Sequence, residues 1–155
     1  MICTPAQVDS LCVIHYGSTK YEPSKVYPIK NHSLNKPRGG LWTSPLNSSH
    51  SWKDWCTREE FRECKRNESF MLKFKPDAKI LIIDSYIDLE KLPVKSVNLK
   101  FRWYQIDFQR LSKKYDAIWL TENGERDTRW SDPLSLYGWD VETIFVMNNK
   151  KIYQV

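Results

Sequence analysis

The sequence lacks the long hydrophobic segments that mark membrane proteins and secreted precursors. No run of about 18 or more apolar residues occurs in the 155 residues, and a membrane-spanning helix needs about that many. The opening stretch MICTPAQVDSLCVIHYG has neither the basic start nor the long apolar core of a secretion signal. We therefore expect a soluble, cytoplasmic protein that makes no contact with membranes.

Cysteine is scarce, and its spacing is not that of a metal site. No two of the four cysteines form a C-x-x-C pair, and the three histidines do not lie at ligand spacing beside them. The sequence therefore predicts no metal centre. In a reducing compartment such thiols serve most simply as small, partly buried apolar residues. The cysteines are Cys3, Cys12, Cys56 and Cys64.

Several common enzyme motifs are also missing from the chain. It contains no P-loop, no G-x-G-x-x-G fingerprint, no H-E-x-x-H and no G-x-S-x-G. These absences argue against the nucleotide-binding and hydrolase classes that carry such motifs.

The residues that are present suffice for one folded unit. Hydrophobic residues make up 41% of the chain and aromatic residues 14%, which supports a packed core and argues against disorder. This length fits one domain, so we expect a single domain over residues 1–155, of unspecified oligomeric state. The net charge of +5 favours an anionic partner such as a nucleotide or nucleic acid, although a solvated basic surface explains it equally well.

Hydrophobic periodicity predicts an α+β domain, with strands at both ends and helices between them. Strands are expected at 11–18, 39–45, 69–76, 78–84, 115–121 and 139–148. Helices are expected at 47–66, 85–92 and 98–115. The second would close before Pro93, and the last would carry Phe101, Tyr104, Ile106, Phe108 and Leu111. Polar connections are expected at 18–37 and 122–138.

Two of the five glycines stand together in the stretch NKPRGGLWTSP, residues 35–45. Gly39 and Gly40 carry no side chains, so the backbone before Trp42 is able to turn with positive φ or to approach a ligand closely. The stretch is therefore either one wall of a ligand pocket or a tight turn before an ordinary strand.

Two ionisable residues lie where core packing alone would not place them. His15 is near the end of a predicted strand, and alternation puts Glu142 on the same face as Ile144 and Val146. A lone buried carboxylate is costly unless it is paired or used, so Glu142 is a candidate functional group. Simpler interpretations are a core histidine bonded to the backbone and a strand-end glutamate that reaches solvent.

Three short motifs resemble the signature of the ADP-ribosyltransferase fold, in particular its His/Tyr/Glu-type and nucleic-acid phosphotransferase-like branches. They are IHYGS at 14–18, GGLWTSP at 39–45 and DVETIFV at 140–146. They occur in the family's order between about residue 12 and residue 148. The resemblance implies an ADP-ribosyltransferase-like split β-sheet with flanking helices.

The resemblance also implies that NAD is a substrate, from which ADP-ribose is transferred to a macromolecule with release of nicotinamide. Glu142 would be the catalytic residue, because it would stabilise positive charge on the ribose. His15 would hold the adenosine ribose, and the backbone of Gly17 would bind the nicotinamide amide. Arg38 would pair with the diphosphate. The pocket wall would consist of Tyr16, Trp42, Thr43 and Ser44.

Two departures from the family pattern leave the acceptor open. Trp42 stands near the position usually held by tyrosine, and Asp140 stands where some branches carry Glu or Gln. The segment before the glutamate adds Arg126, Arg129 and Trp130, which with Asp140 are the expected acceptor-side residues. The acceptor is a protein, a nucleic acid or, for an NAD glycohydrolase, water. A non-enzymatic module that binds nucleic acid or protein is the remaining alternative.

Overall fold

The computed structural model describes residues 1–98, 100 and 103–155, which form short helices around a large sheet. Among the described helices, none has the length and apolar character needed to cross a bilayer. The α-helices are α1 (Pro5–Ser10), α2 (Trp52–Arg58), α3 (Tyr86–Glu90), α4 (Phe108–Ser112) and α5 (Glu122–Thr128). The strands are β1 (Cys12–Tyr16), β2 (Leu41–Pro45), β3 (Ser69–Phe74), β4 (Ile80–Ile83), β5 (Val94–Asn98), β6 (Trp103–Ile106), β7 (Ala117–Leu120), β8 (Thr143–Val146) and β9 (Ile152–Gln154).

Seven of the strands form one mixed sheet in the order β4-β7-β8-β2-β1-β3-β9. β4 and β7 run parallel, whereas the other neighbouring pairs are antiparallel. β5 and β6 form a separate antiparallel ribbon. The expectation of an α+β fold is confirmed at this level.

The large sheet divides at β2. Residues 41–43 of this strand pair with β8, whereas residues 44–45 pair with β1. β1 continues beyond that pairing to His15 and Tyr16, which pair with β3. β1 and β2 therefore separate at one end, and the candidate site lies there.

The two faces of the sheet carry separate hydrophobic cores, because side chains alternate along each strand. The first face buries Leu72 and Ile144 completely. The second face buries Phe145 against Phe108 of α4 and its neighbours. Removal of this apolar surface from water is the main favourable term in folding.

The four cysteines are free thiols, and three of them are buried, as the sequence predicts. Burial raises the pKa of Cys3 and of Cys56 to about 11. Both thiols are therefore protonated at neutral pH and behave as small apolar groups.

Residues 98–115 do not form the predicted single helix. Their described part contains strand β6 and then α4, which begins only at Phe108. Asp107 separates the two elements, because its side chain caps the helix by accepting a hydrogen bond from the backbone N–H of Arg110. Aromatic and β-branched residues before this cap favour the ribbon. Phe101, which was expected on the helix, lies outside the described residues.

Residues 122–138 do not form a continuous polar loop, because their first half folds as α5. Thr121 caps this helix by accepting a hydrogen bond from the backbone N–H of Gly124. A Cβ at Gly124 would lie 2.1 Å from the carbonyl oxygen of Ile83. The glycine therefore allows the helix to pack closely on β4 and does not mark a loop.

Most elements are somewhat shorter than predicted, and α2 and β8 are much shorter. α2 ends at Arg58 and not at residue 66, since Glu60 adopts a left-handed φ of 52°. β8 begins at Thr143 and not at residue 139, since Asp140 interrupts the extended backbone with a φ of 64°. Both interruptions lie next to chain segments that border the candidate site.

Candidate functional site

A cavity of about 270 Å³ opens where β1 and β2 separate. His15 and Tyr16 line it from β1, and residues 42–44 line it from β2. Five residues that the sequence singled out therefore meet in one cavity. The remaining lining includes Lys36, Trp52, Arg62, Trp139, Val141 and Thr143.

Aromatic rings form much of the cavity wall. Trp42 packs edge-on against Trp139, with 4.9 Å between ring centroids, and lies 4.4 Å from the ring of Phe145. Trp139 is buried, and its indole N–H donates a hydrogen bond to the carbonyl oxygen of Asn35. Trp52 faces the cavity from α2. Flat apolar walls of this kind suit a planar ring system.

The His15 ring bridges the gap between the two strands. Its Nδ1 lies 2.8 Å from the carbonyl oxygen of Trp42, and because a carbonyl only accepts, we assign the proton to Nδ1. Nε2 of the neutral ring is then an acceptor. Burial lowers the pKa of His15, the hydrogen bond to Trp42 opposes this shift, and the charge of Arg62 adds to it. The neutral imidazole is therefore favoured at neutral pH.

Two cations stand at the cavity. Lys36 places its Nζ 5.6 Å from the ring centroid of Trp42, within the range of a cation–π contact. Arg62 donates a hydrogen bond to the carbonyl oxygen of Tyr16 at 3.3 Å, which brings its guanidinium to the end of β1. Arg38 lies outside the cavity lining and is exposed in the preceding loop. Lys36 and Arg62 are therefore the cations placed to meet an anionic ligand here.

The two hydroxyl side chains of β2 are buried and bonded within the protein. Thr43 donates a hydrogen bond to the carbonyl oxygen of Ile144 at 2.6 Å. Ser44 accepts a hydrogen bond from the backbone N–H of Trp52 at 3.1 Å. The hydroxyls thus fasten β2 to β8 and to α2 on either side of the cavity.

The paired glycines before β2 serve a turn and a close packing contact. Gly39 and Gly40 have φ values of 79° and 64°, so the expectation of positive φ is confirmed. A Cβ at Gly39 would lie 2.2 Å from the carbonyl oxygen of Pro28, and one at Gly40 would lie 2.6 Å from the ring of Phe145. The close approach is therefore to the protein's own atoms.

Gly17 follows β1 and lies outside the cavity lining. It has a φ of 113°, and its backbone N–H donates a hydrogen bond to the carbonyl oxygen of Glu68 at 2.7 Å. Because this N–H is already bonded, the backbone of Gly17 has only its carbonyl oxygen for a contact with a ligand.

Glu142 is buried at the entry to β8, and its carboxylate is bonded to an indole. Its Oε2 accepts a hydrogen bond from Nε1 of Trp119 at 2.9 Å, and its backbone N–H donates to the carbonyl oxygen of His50. Trp119 packs against the core of the first face. Val141 and Thr143 line the cavity, whereas Glu142 does not. The Glu142 carboxylate therefore points to the opposite side of this segment from the side chains of Val141 and Thr143.

The three strands that carry the sequence motifs are neighbours, in the order β8-β2-β1. Thr43 lies directly opposite Ile144, and His15 lies directly opposite Phe70, so both share the first face with the core that contains these partners. Glu142 faces the same way. The predicted histidine, hydroxyl and glutamate therefore share one face of three adjacent strands, and two of them also line the cavity.

A charged cluster includes His50, whose carbonyl oxygen accepts the backbone hydrogen bond of Glu142. Glu125 is buried on α5, accepts a hydrogen bond from Arg129 at 2.9 Å and lies 3.4 Å from Nε2 of His50. Asp140 lies 3.8 Å from Arg129. Two predicted acceptor-side residues, Arg129 and Asp140, are thus brought together, and the cluster fixes the loop that bonds the backbone of Glu142.

Trp130 and Tyr137 form an exposed aromatic pair beside this cluster. Their ring centroids are 4.8 Å apart, and the residues are 77% and 47% exposed. The Arg129 guanidinium lies 5.8 Å and 5.1 Å from the two ring centroids. Arg126 instead pairs with Glu122 on the surface of α5 at 2.7 Å.

Sequence reasoning missed several residues of the cavity, among them Arg62, Lys36 and Trp139. Arg62 was placed on the predicted continuation of α2, and it reaches the cavity because the chain reverses at Glu60. Lys36 lay in a segment that was interpreted as an irregular connection. Trp139 carried a usable signal, because it is a bulky aromatic residue immediately before the third motif.

Within the described ranges, no group of three or more His, Cys, Asp or Glu side chains is placed to hold a metal ion. The chain matches no protein-family model, no curated protein and no solved structure. Function is therefore inferred from the geometry of the site together with the sequence motifs.

Proposed function

We propose that the protein is an NAD-dependent ADP-ribosyltransferase, which moves ADP-ribose from NAD to a macromolecular acceptor and releases nicotinamide. The observation that carries the proposal is the adjacency of the three motif-bearing strands at one cavity. β1 contributes His15, β2 contributes Trp42 and Thr43, and β8 is entered through Glu142. The division of the sheet at β2 supports the same proposal, since the resemblance to the ADP-ribosyltransferase fold implies a split β-sheet.

The size of the cavity fits one half of a dinucleotide. Its volume of about 270 Å³ is just below the usual range for small-molecule sites, about 300–1,000 Å³. It would hold a nicotinamide ring with its ribose against Trp42, where the positive charge of the pyridinium adds about 0.5–2 kcal/mol. The diphosphate would then lie at the mouth, where Arg62 and Lys36 supply positive charge.

His15 would position a ribose. The carbonyl of Trp42 holds its Nδ1–H, which leaves Nε2 as an acceptor for a ribose hydroxyl. This role needs the neutral ring, which burial favours because it lowers the pKa of His15.

The proposed reaction is a displacement at C1′ of the nicotinamide ribose. The C1′–N bond breaks, its electron pair leaves with nicotinamide, and an oxygen or nitrogen of the acceptor forms the new bond and loses its proton. Positive charge builds on the ribose, and Glu142 would stabilise it electrostatically in a partly desolvated site. This role requires the ribose to reach the first face beside Thr43, which lines the cavity and shares that face with Glu142.

Labelled NAD tests the proposal. The protein is incubated with NAD labelled in its adenylate half and with separate pools of protein, RNA and DNA. We expect nicotinamide release and label in one pool. Glu142→Gln should lower release by about 10²- to 10³-fold while NAD binding and Tm stay near wild type. Glu90→Gln, at an exposed glutamate of α3, is the matched control.

Three outcomes decide between the alternatives. Nicotinamide release without label in any pool would reassign the protein as an NAD glycohydrolase. Full turnover by Glu142→Gln would exclude the proposed catalytic role of this carboxylate. Absence of both release and NAD binding would overturn the transferase proposal.

A further inference from the structure

Three lysine-rich stretches of the sequence lie at the same end of the large sheet. They are KFKPDAK at 73–79, KKYD at 113–116 and NNKK at 148–151. Ile80 pairs with Ala117 across β4 and β7, and Ala117 pairs with Val146 across β7 and β8. The residues just before β4, just before β7 and just after β8 are therefore neighbours in space. The fold thus brings together stretches that are far apart in the sequence.

A second cavity, of about 430 Å³, opens between these stretches. It lies beyond the end of β8, whereas the cavity at His15 is lined by Thr143 at the start of that strand. Its charged lining consists of four lysines and two aspartates, which leaves a net charge of +2. These residues are Lys79, Lys113, Lys114, Lys151, Asp77 and Asp116.

Both aspartates are engaged within the protein. Asp77 forms an ion pair with Lys151. The carboxylate of Asp116 accepts hydrogen bonds from the backbone N–H of Lys79 and from the side-chain amide of Asn148, each at 2.8 Å. Its backbone bonds to the same two residues. Asp116 therefore fixes the walls of the cavity.

Three of the four lysines enter no ion pair among the residues that the structure describes. They are Lys79, Lys113 and Lys114, and all three are exposed. Lys114 places its Nζ 5.4 Å from the ring centroid of Tyr115, which also lines the cavity. Cations gathered in a concave site repel one another and attract anions, so a bound anion relieves the repulsion.

The charge and size of the cavity favour a phosphate group on a small molecule. A phosphate monoester carries close to two negative charges at neutral pH and has three strong acceptor oxygens, which matches a net charge of +2 and three ammonium groups. A carboxylate carries only one charge. The volume lies within the usual range for small-molecule sites, about 300–1,000 Å³, so it has room for an organic body beside the phosphate.

We propose that this second cavity binds the phosphate group of a small phosphorylated molecule. The ammonium groups of Lys79, Lys113 and Lys114 donate hydrogen bonds to the phosphate oxygens, and Asp116 holds the surrounding backbone in place. The binding requires neither NAD nor the proposed transferase activity, because the cavity at His15 lies at the other end of β8.

Calorimetric titration with inorganic phosphate, glycerol 3-phosphate and lactate at constant ionic strength tests this proposal. Wild type should bind both phosphates, and it should bind the carboxylate lactate at least about tenfold more weakly. Lys79→Gln/Lys113→Gln/Lys114→Gln should weaken phosphate binding at least about tenfold, because charge-assisted hydrogen bonds are lost. Added sodium chloride should weaken binding to wild type, since the three lysines are exposed.

The control variant Lys53→Gln/Lys65→Gln/Lys91→Gln removes the same charge from exposed positions outside both cavity linings. It should bind phosphate within about twofold of wild type. Tm values close to that of wild type show that the variants fold.

Five outcomes would overturn the proposal. Equal losses in the two triple variants would reduce the effect to net charge. Loss of binding in Arg62→Ala, with binding retained in Lys79→Gln/Lys113→Gln/Lys114→Gln, would place the phosphate in the cavity at His15. Binding of inorganic phosphate without glycerol 3-phosphate would exclude an organic body. Absence of heat with both phosphates at millimolar concentration would exclude the site. Binding of vesicles that contain phosphatidylinositol phosphates, without binding of the soluble phosphates, would assign the lysines to a lipid surface.

Discussion

At His15, burial and a single hydrogen bond act in opposite directions on protonation. The sequence indicated this residue by its position at a strand end and by the motif around it. Its partner was not predictable, because the Trp42 carbonyl lies 27 residues further along the chain and meets the ring only after β1 and β2 come together. The chemical state of such a residue is therefore a property of the folded sheet.

The first prediction concerns pH and His15. Its folded pKa is lowered below the ordinary value of 6.5, so the unfolded chain takes up its proton first as the pH falls. The stabilising contribution is fully present above about pH 6.5 and is lost as the pH falls toward the folded pKa. Urea unfolding between about pH 7.5 and 5.5 should show a steeper loss of stability for wild type than for His15→Gln. Equal slopes would contradict the buried neutral state.

The second prediction concerns Gly40. Its φ of 64° disfavours any Cβ, and that atom would lie 2.6 Å from the ring of Phe145. Gly40→Ala should therefore lower the free energy of unfolding by at least about 2 kcal/mol. Gly138→Ala is the control, because its Cβ would meet only the side chain of Lys36, at 3.6 Å. Denaturant unfolding of both variants measures the difference, and similar small losses would show that the turn adapts.

At the scale of elements, alternation and caps decided what could be predicted. Strand β3, with its strong alternation, was found close to its predicted position, and α2, which begins after a clear cap, lies inside its predicted range but ends well before residue 66. The ribbon of β5 and β6 was missed, because its aromatic residues fit a helical period as well as a strand, and only the cap at Asp107 separates it from α4. Helix α5 was missed, because its glycine is required by contact with β4.

The third prediction concerns the N-terminal cap of α2, the helix that presents Trp52 to the cavity. Ser51 and Asp54 form a reciprocal capping box at its start. Ser51→Ala should lower the free energy of unfolding by about 1 kcal/mol and should increase hydrogen exchange in α2. Ser24→Ala, at an exposed serine, should do neither. Unchanged exchange in α2 would show that packing and not the cap holds this helix.

At the scale of the whole molecule, the site depends on contacts that join distant parts of the chain. His15 and residues 42–44 could be predicted from short motifs, because each lies on a strand with its own pattern. Arg62 and Lys36 could not be predicted, since they reach the cavity through irregular segments that carry no periodic signal. The orientation of Glu142 also depends on a distant partner, Trp119 of β7.

The fourth prediction follows from the charge at the cavity mouth. Arg62→Ala should weaken NAD binding about tenfold, because a charge-assisted hydrogen bond to phosphate contributes more than about 1 kcal/mol. Arg110→Ala, at an exposed arginine of α4 outside the cavity lining, should change NAD affinity by less than about twofold. Titration of both variants with NAD gives the comparison, and an equal change of NAD affinity in the two variants would show that Arg62 is not part of the proposed NAD site.

Calorimetric titration of the wild-type protein with NAD tests the central claim most directly, because every proposed role of the cavity requires that NAD binds there. The account predicts heat of binding and a raised Tm at millimolar NAD, both lost in Trp42→Ala and retained in Trp130→Ala, which alters an exposed tryptophan outside the cavity lining. Absence of heat and of thermal protection with both NAD and nicotinamide would contradict it.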